Sequence, residues 1–296
     1  MDGRPLRDRA GTDGLDPGRR AAFAGELTRS LAAHCPGSRA ELRGSLARGT
    51  ADAYSDIDLA WTVPGNRFAG CLAAVRDVLG TAGTLDSLRT DPGTRGSGER
   101  RLLFAAFRGL PLFWRVDLEV VAAEGKAAGP VAPADDTWSW PASALANAVA
   151  ATKAVLRDRP EDARGLLERG LRRVDAPKGP SGHWLIDIRR LADTAAGREP
   201  DLRPLADRVH DLAERHRAPL IWWAFPAAVR AEVDELILAD RSIQAVRAMR
   251  ESGLEPRPTL HGCADVLAAR HRARVGGALD GRGPDGPRGR TAGTGS

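Results

Sequence analysis

The residues best suited to chemistry lie between Gly44 and Leu59, where a Gly44-Ser45 pair precedes Asp56-Ile57-Asp58-Leu59 by about ten residues. In a strand alternate side chains share a face, so Asp56 and Asp58 project together while Ile57 and Leu59 turn toward a core. Two carboxylates held so close call for a cation, and hard oxygen donors suit Mg2+. Two such ions about 3.5–4 Å apart can clamp the attacking and leaving oxygens of an in-line displacement at phosphorus. The upstream half reads as the phosphate end of the same site. Gly44 lets a ligand approach the backbone, Ser45 offers a hydroxyl and an N–H, and a helical turn beginning there would aim free N–H groups at an anion. Arg48, one turn on, is placed either to bond a phosphate oxygen or to form a surface salt bridge. Ser55 reads as a polar contact to a nucleotide or as a turn cap, and Asp52 as part of the loop.

A second acidic segment follows. Leu112 to Val121 is rich in aromatic and β-branched residues with polar residues at alternate positions, and it predicts a strand with Arg115, Asp117 and Glu119 on one face. Either carboxylate is spaced to join the first pair.

The run from Gly44 to Asp58 resembles the signature of the DNA polymerase β-like nucleotidyltransferase superfamily, a Gly-Ser turn followed by Asp-hydrophobic-Asp. The likeness extends to Ala47-Arg48-Gly49 and to the Ser55 that precedes the first aspartate. It implies that Gly44 and Ser45 contact the β- and γ-phosphates, that Asp56 and Asp58 hold two Mg2+ ions, and that a carboxylate on a later strand completes the metal site. Val116-Asp117-Leu118 resembles the usual context of that third carboxylate, which favours Asp117 as ligand and candidate base, with Glu119 as the alternative third ligand. A catalytic domain followed by a helical one is further similar to the bacterial aminoglycoside and lincosamide nucleotidyltransferases. The resemblance implies transfer of a nucleoside monophosphate, AMP from ATP, to a hydroxyl of a small molecule such as an antibiotic, with release of pyrophosphate. The other readings are transfer to a protein or RNA, or a catalytically silent nucleotide-binding module. In the family a partner subunit can complete the site, so the resemblance allows a homodimer.

Composition sets the bounds. A chain of 296 residues accommodates two ordinary domains with ample core. The formal charge of +5 and pI near 9.7 come from arginines spread along the chain and nearly balanced by Asp and Glu, a poor footprint for nucleic acid. Cys35, Cys71 and Cys263 have neither metal-ligand spacing nor a disulfide framework, and no apolar run suits a signal or a membrane span. These features predict a cytoplasmic protein.

The elements that must position the site read as follows. Helices are expected over about Arg20 to His34 and Arg67 to Leu79, and strands over Arg39 to Arg43, Asp56 to Val63, Thr84 to Arg89, Leu102 to Phe107 and Leu112 to Val121, with an exposed loop from Asp91 to Glu99. This is an α+β design: a small mixed sheet over residues 20–124, a linker at 125–137, and a helical bundle-like acceptor domain over 138–269. In the latter, helices are predicted over about Pro141 to Leu156, Pro160 to Val174, Trp184 to Ala196, Leu202 to His216, Pro226 to Leu238 and Ser242 to Arg250. Asp187 is either an acceptor-binding group or the partner of an arginine one turn away, and Trp138, Trp140, Trp222 and Trp223 are stacking or core residues. Residues 1–19 and the basic tail at 270–296 are expected to be disordered.

Overall fold

The structure, a computed structural model, describes residues 15–123 and 138–280. The expected linker at 125–137 lies outside the described residues, as do residues 1–14 and 281–296. The chain forms two compact units that divide between His216 and Arg217.

The first unit opens with helix α1 (Pro17–His34), whose start is fixed by the Asp16 side chain accepting from the Gly18 N–H, with Pro17 in the first turn. Helix α1 thus begins inside the stretch expected to be disordered. Strand β1 (Arg39–Leu42) leads into the single turn α2 (Gly44–Ala47), then β2 (Ile57–Val63) and α3 (Phe68–Gly80). Strands β3 (Leu85–Thr90), β4 (Arg100–Phe107) and β5 (Val116–Ala122) complete a five-stranded mixed sheet of order β1-β2-β5-β4-β3. Only the central β2–β5 pair is parallel, the remaining pairs being antiparallel. Strand β5 starts later than the predicted Leu112, because Pro111 to Trp114 close a turn in which Trp114 N–H donates to the Pro111 carbonyl at 2.9 Å. The core is packed from Leu27 and Leu31 of α1, Val75 and Leu79 of α3, and Ile57, Trp61, Val116 and Leu118 of the central strands.

Helices α4 (Trp140–Leu156), α5 (Pro160–Arg173), α6 (Trp184–Arg198) and α7 (Arg203–Arg215) belong to the same unit as the sheet. The α4 start is capped by Ser139, whose hydroxyl accepts from the Ala142 N–H, and alanines at 142, 144, 148 and 151 are buried along it. Such small side chains let neighbouring layers approach closely. The second unit holds α8 (Arg217–Trp222), α9 (Ala227–Leu238), α10 (Ser242–Arg250) and α11 (Leu260–Asp280). Its own core gathers Trp222, Phe225, Val233, Ile237, Met249 and Val266. Helices α8 and α11 are additions to the sequence expectation. Helix α11 also corrects it, since the chain remains helical through Arg270 to Asp280, where a disordered tail was expected; Arg270 stacks over Trp222 and is bidentate to Asp234 at 2.7–2.9 Å, which ties that stretch to the unit.

Candidate active site

Pairing of β2 with β5 places Asp58 directly opposite Asp117, although the two lie far apart in sequence. Asp56, just before β2, shares the Asp58 face by strand alternation. The two aspartates and Asp117 are thereby brought to one end of the central strands, at the β2–β5 seam. Glu119 sits one pleat further along, opposite Ala60, and pairs with Arg100 at 3.2 Å near the surface.

Gly44 is fitted to this seam. Its backbone has φ +57°, and a Cβ built there would lie 1.9 Å from Asp58 Oδ2. Left-handed backbone and absent side chain are both required, so glycine is the residue that lets the turn lie against the carboxylate. The turn is tied to β2 by Arg43 N–H donating to the Asp58 carbonyl at 2.8 Å. Gly44, Ser45, exposed Arg48, Asp56 and Asp58 line one open groove of about 670 Å³. Ser55 takes the turn role: its hydroxyl donates to Asp52 Oδ1 at 2.9 Å and accepts from the Asp52 N–H at 3.1 Å.

Cations from neighbouring elements hold the acidic groups. Arg115 is bidentate to Asp117 at 2.6 and 2.7 Å and stands 3.8 Å from Asp56. Lys153 of α4 is hydrogen-bonded to Asp56. One turn on, Arg157 is bidentate to Asp52 at 2.6 and 2.7 Å. Arg20, buried in α1, donates to the Asp52 and Ser55 carbonyls at 2.6 and 3.2 Å, so the loop before β2 is pinned from two sides.

The electrostatics follow from this packing. Burial, and then the neighbouring Asp117 and Asp56 charges, push the Asp58 carboxyl above its ordinary range. Burial also raises Asp117, outweighing the pull of Arg115. Burial lowers Lys153, and Asp56 restores part of the loss. Arg115 is opposed by burial, yet its hydrogen bond to Asp117 and the surrounding carboxylates leave it above the usual value. The Arg157 hydrogen bond holds Asp52 down at about 2.

Among the described residues no group of three or more His, Cys, Asp or Glu side chains is gathered as a metal cage. The carboxylates of Asp56 and Asp117 are turned instead to Lys153 and Arg115. The donor set still suits a hard cation: all three are carboxylates, and an ammonium and a guanidinium stand in the cationic places beside two of them.

Lys153, Arg115 and Arg157 are the site residues that sequence reasoning did not assign. The chain has three lysines, Lys126, Lys153 and Lys178, among 44 basic residues, and a lysine where arginine is the rule was a usable signal. Asp187 takes the structural alternative: it is buried, accepts from the Ser181 and Gly182 N–H groups at 2.7 and 3.1 Å, and pairs with Arg190 at 3.0 Å. Trp222 fills the core of the second unit, whereas Trp140 is 53% exposed with Arg173 over its ring.

No family model matches the chain, and no curated protein matches it. Among solved structures it is similar to one described as the structure of a GLD-2/RNP-8 complex, at 12% identity and a TM-score of 0.29, over 62% of this chain and 59% of that one. The chain therefore spans about three fifths of that neighbour. The functional reading rests on the residues of the site. Among the described residues no helix is long and apolar enough to cross a membrane.

Proposed function

We propose that the protein is a Mg2+-dependent nucleotidyltransferase of the DNA polymerase β-like kind, moving a nucleoside monophosphate from a nucleoside triphosphate, ATP in the first instance, to a hydroxyl of a small acceptor. The observation that carries the reading is the Asp58–Asp117 pair, in register across parallel strands, with Gly44 wedged against Asp58.

Asp56, Asp58 and Asp117 would hold two Mg2+ ions, with Arg115 and Lys153 giving up their carboxylate partners. When bound, the ions supply charge neutralisation at the phosphoryl oxygens. Gly44 offers backbone that a triphosphate can approach, Ser45 a hydroxyl donor, and Arg48 a charge for the outer phosphates. Asp117, raised by burial, is suited to take the proton of the acceptor hydroxyl. The acceptor oxygen forms a bond to the α-phosphorus as the bond to pyrophosphate breaks. Positioning and charge neutralisation carry most of such a transfer.

The test is the thermal shift given by each nucleoside triphosphate with and without Mg2+. A ligand at a hundredfold excess over its dissociation constant stabilises the native state by about 2.7 kcal/mol. The wild type should show a Mg2+-dependent shift that Asp58→Asn loses while keeping its circular dichroism spectrum. An equal shift in Asp58→Asn rules out the metal role given to that residue.

A further inference from the structure

Arg115 is held at the seam by two unlike partners. Its guanidinium is bidentate to Asp117 at 2.6 and 2.7 Å, and its central carbon lies over the Phe104 ring, 5.0 Å from the ring centre. Phe104 of β4 is in register with Asp117 of β5, and antiparallel partners share a face, so ring, carboxylate and guanidinium stand together on one side of the sheet. The ring is itself backed by Trp138, 6.3 Å away and tilted by 60°. The backbone end of Arg115 is fixed as well, its carbonyl accepting from the Ile57 N–H at 2.9 Å.

The two partners differ in what a bound nucleotide would ask of them. On the nucleotidyl-transfer reading Asp117 turns to Mg2+, and the guanidinium loses its carboxylate. Phe104 has no lone pair to give a metal and keeps its place. An aromatic face attracts the cation as a whole through its quadrupole, whichever acceptors the N–H groups use. Arginine stays charged throughout and presents five donors in a planar fork that matches phosphate as well as carboxylate. Arg115 also stands 3.8 Å from Asp56, so the freed donors lie between two of the carboxylates assigned to the metals.

We propose that Arg115 passes from Asp117 to a phosphoryl oxygen of the bound nucleoside triphosphate, and that Phe104 is the positioning residue that keeps its guanidinium at the seam during the exchange. The role rests on the nucleotidyl-transfer reading and adds to it a cation that neutralises charge on the donor while the acceptor oxygen bonds to the α-phosphorus and pyrophosphate leaves. Phe104 touches neither nucleotide nor metal in this role. It acts through Arg115 alone.

Calorimetric binding of the α,β-methylene analogues of ATP, GTP, CTP and UTP to the full chain with Mg2+ tests it, the tightest analogue being carried through the variants. Phe104→Leu keeps an apolar side chain and removes the aromatic face, and it should weaken binding by about three- to tenfold. Phe104→Tyr keeps the face and should bind like the wild type. In an Arg115→Gln background, itself weakened, Phe104→Leu should cause no further loss, since both substitutions break one interaction. Without nucleotide, the Arg115 Nε–H resonance, identified by its disappearance in Arg115→Gln, should move in Phe104→Leu as it leaves the ring current, while the remaining amide signals report an intact fold. Binding of Phe104→Leu at wild-type strength, equal weakening in both backgrounds, or Phe104→Tyr as weak as Phe104→Leu overturns the role given to Phe104, and wild-type binding then leaves the transferase reading standing. No Mg2+-dependent binding of any analogue to the wild type overturns the transferase reading and this role with it.

Discussion

Gly44 shows how one residue's missing side chain can decide a site. Gly44→Ala would force L-backbone into the left-handed region and drive a methyl group into the Asp58 carboxylate. The strain alone costs about 1–2 kcal/mol, and the clash adds to it. We expect a lowered melting temperature and loss of the Mg2+-dependent nucleotide shift together; a variant that keeps the shift at wild-type size would mean the turn does not touch the bound nucleotide. The competing carboxylates on β5 separate in the same way. Asp117→Asn should abolish transfer while Glu119→Gln lowers it severalfold at most, since Glu119 faces Arg100 rather than Asp58. The opposite ranking, measured as turnover, would make Glu119 the third ligand. These residues were legible because strand alternation writes itself into sequence: Asp56 and Asp58 flank buried Ile57, and Asp117 and Glu119 alternate with buried Val116, Leu118 and Val120. Lys153 was not, because its bond to Asp56 is a tertiary contact between a helix and the residue just ahead of a strand that no local period records.

At the scale of elements, α4 does more than cover the sheet. Lys153 and Arg157, one turn apart, reach Asp56 and Asp52, so a single helical face sets the charge on the loop before β2. Arg157→Gln removes a bidentate pair that is partly exposed, for which about 1 kcal/mol or less of global stability is at stake. Its local effect should be larger: amide hydrogens of residues 50–55 exchange faster, with the rest of the sheet unchanged. Uniform protection across the variant would show that Arg20 alone holds the loop. The elements themselves were readable to within a few residues wherever an amphipathic period ran long, as in α1, α3 and α10. The start of β5 was not, because Leu112, Phe113 and Trp114 have strand-forming side chains but follow Pro111, and the turn closed there outweighs propensity. Helix α11 was missed in part because its arginine- and glycine-rich end carries little apolar signal, while Arg270 is held by Asp234 and Trp222.

For the whole molecule, acid sensitivity can be traced to a histidine outside the site. His216 packs against Phe113 and Tyr54, ring centres 5.6 and 6.2 Å away, and burial, with Arg215 adding to it, lowers it from 6.5 to about 4. The unfolded chain takes up a proton on that ring below about 6.5 and the native chain only near 4. Stability is therefore complete above the upper value and is lost as pH falls through the interval, by at most about 3 kcal/mol. Asp52, held at about 2, contributes its loss at lower pH, and the raised Asp58 and Asp117 act in the opposite sense. The difference in unfolding free energy between wild type and His216→Gln isolates the histidine and should shrink from neutral pH toward the lower value. A difference that stays constant across that interval would mean the ring is already solvated.

The parallel β2–β5 register also bears on when a site at that seam can be complete. Strand β5 is separated from its partner β2 by α3, β3 and β4 along the chain, and Lys153 joins Asp56 from further along still. Such distant pairings close at a large entropic cost and belong to the late stages of assembly. On the nucleotidyl-transfer reading, the complete site is expected to form only once these distant pairings have closed. A nucleotide bound there would then be expected to prolong the native state by slowing unfolding more than it speeds folding.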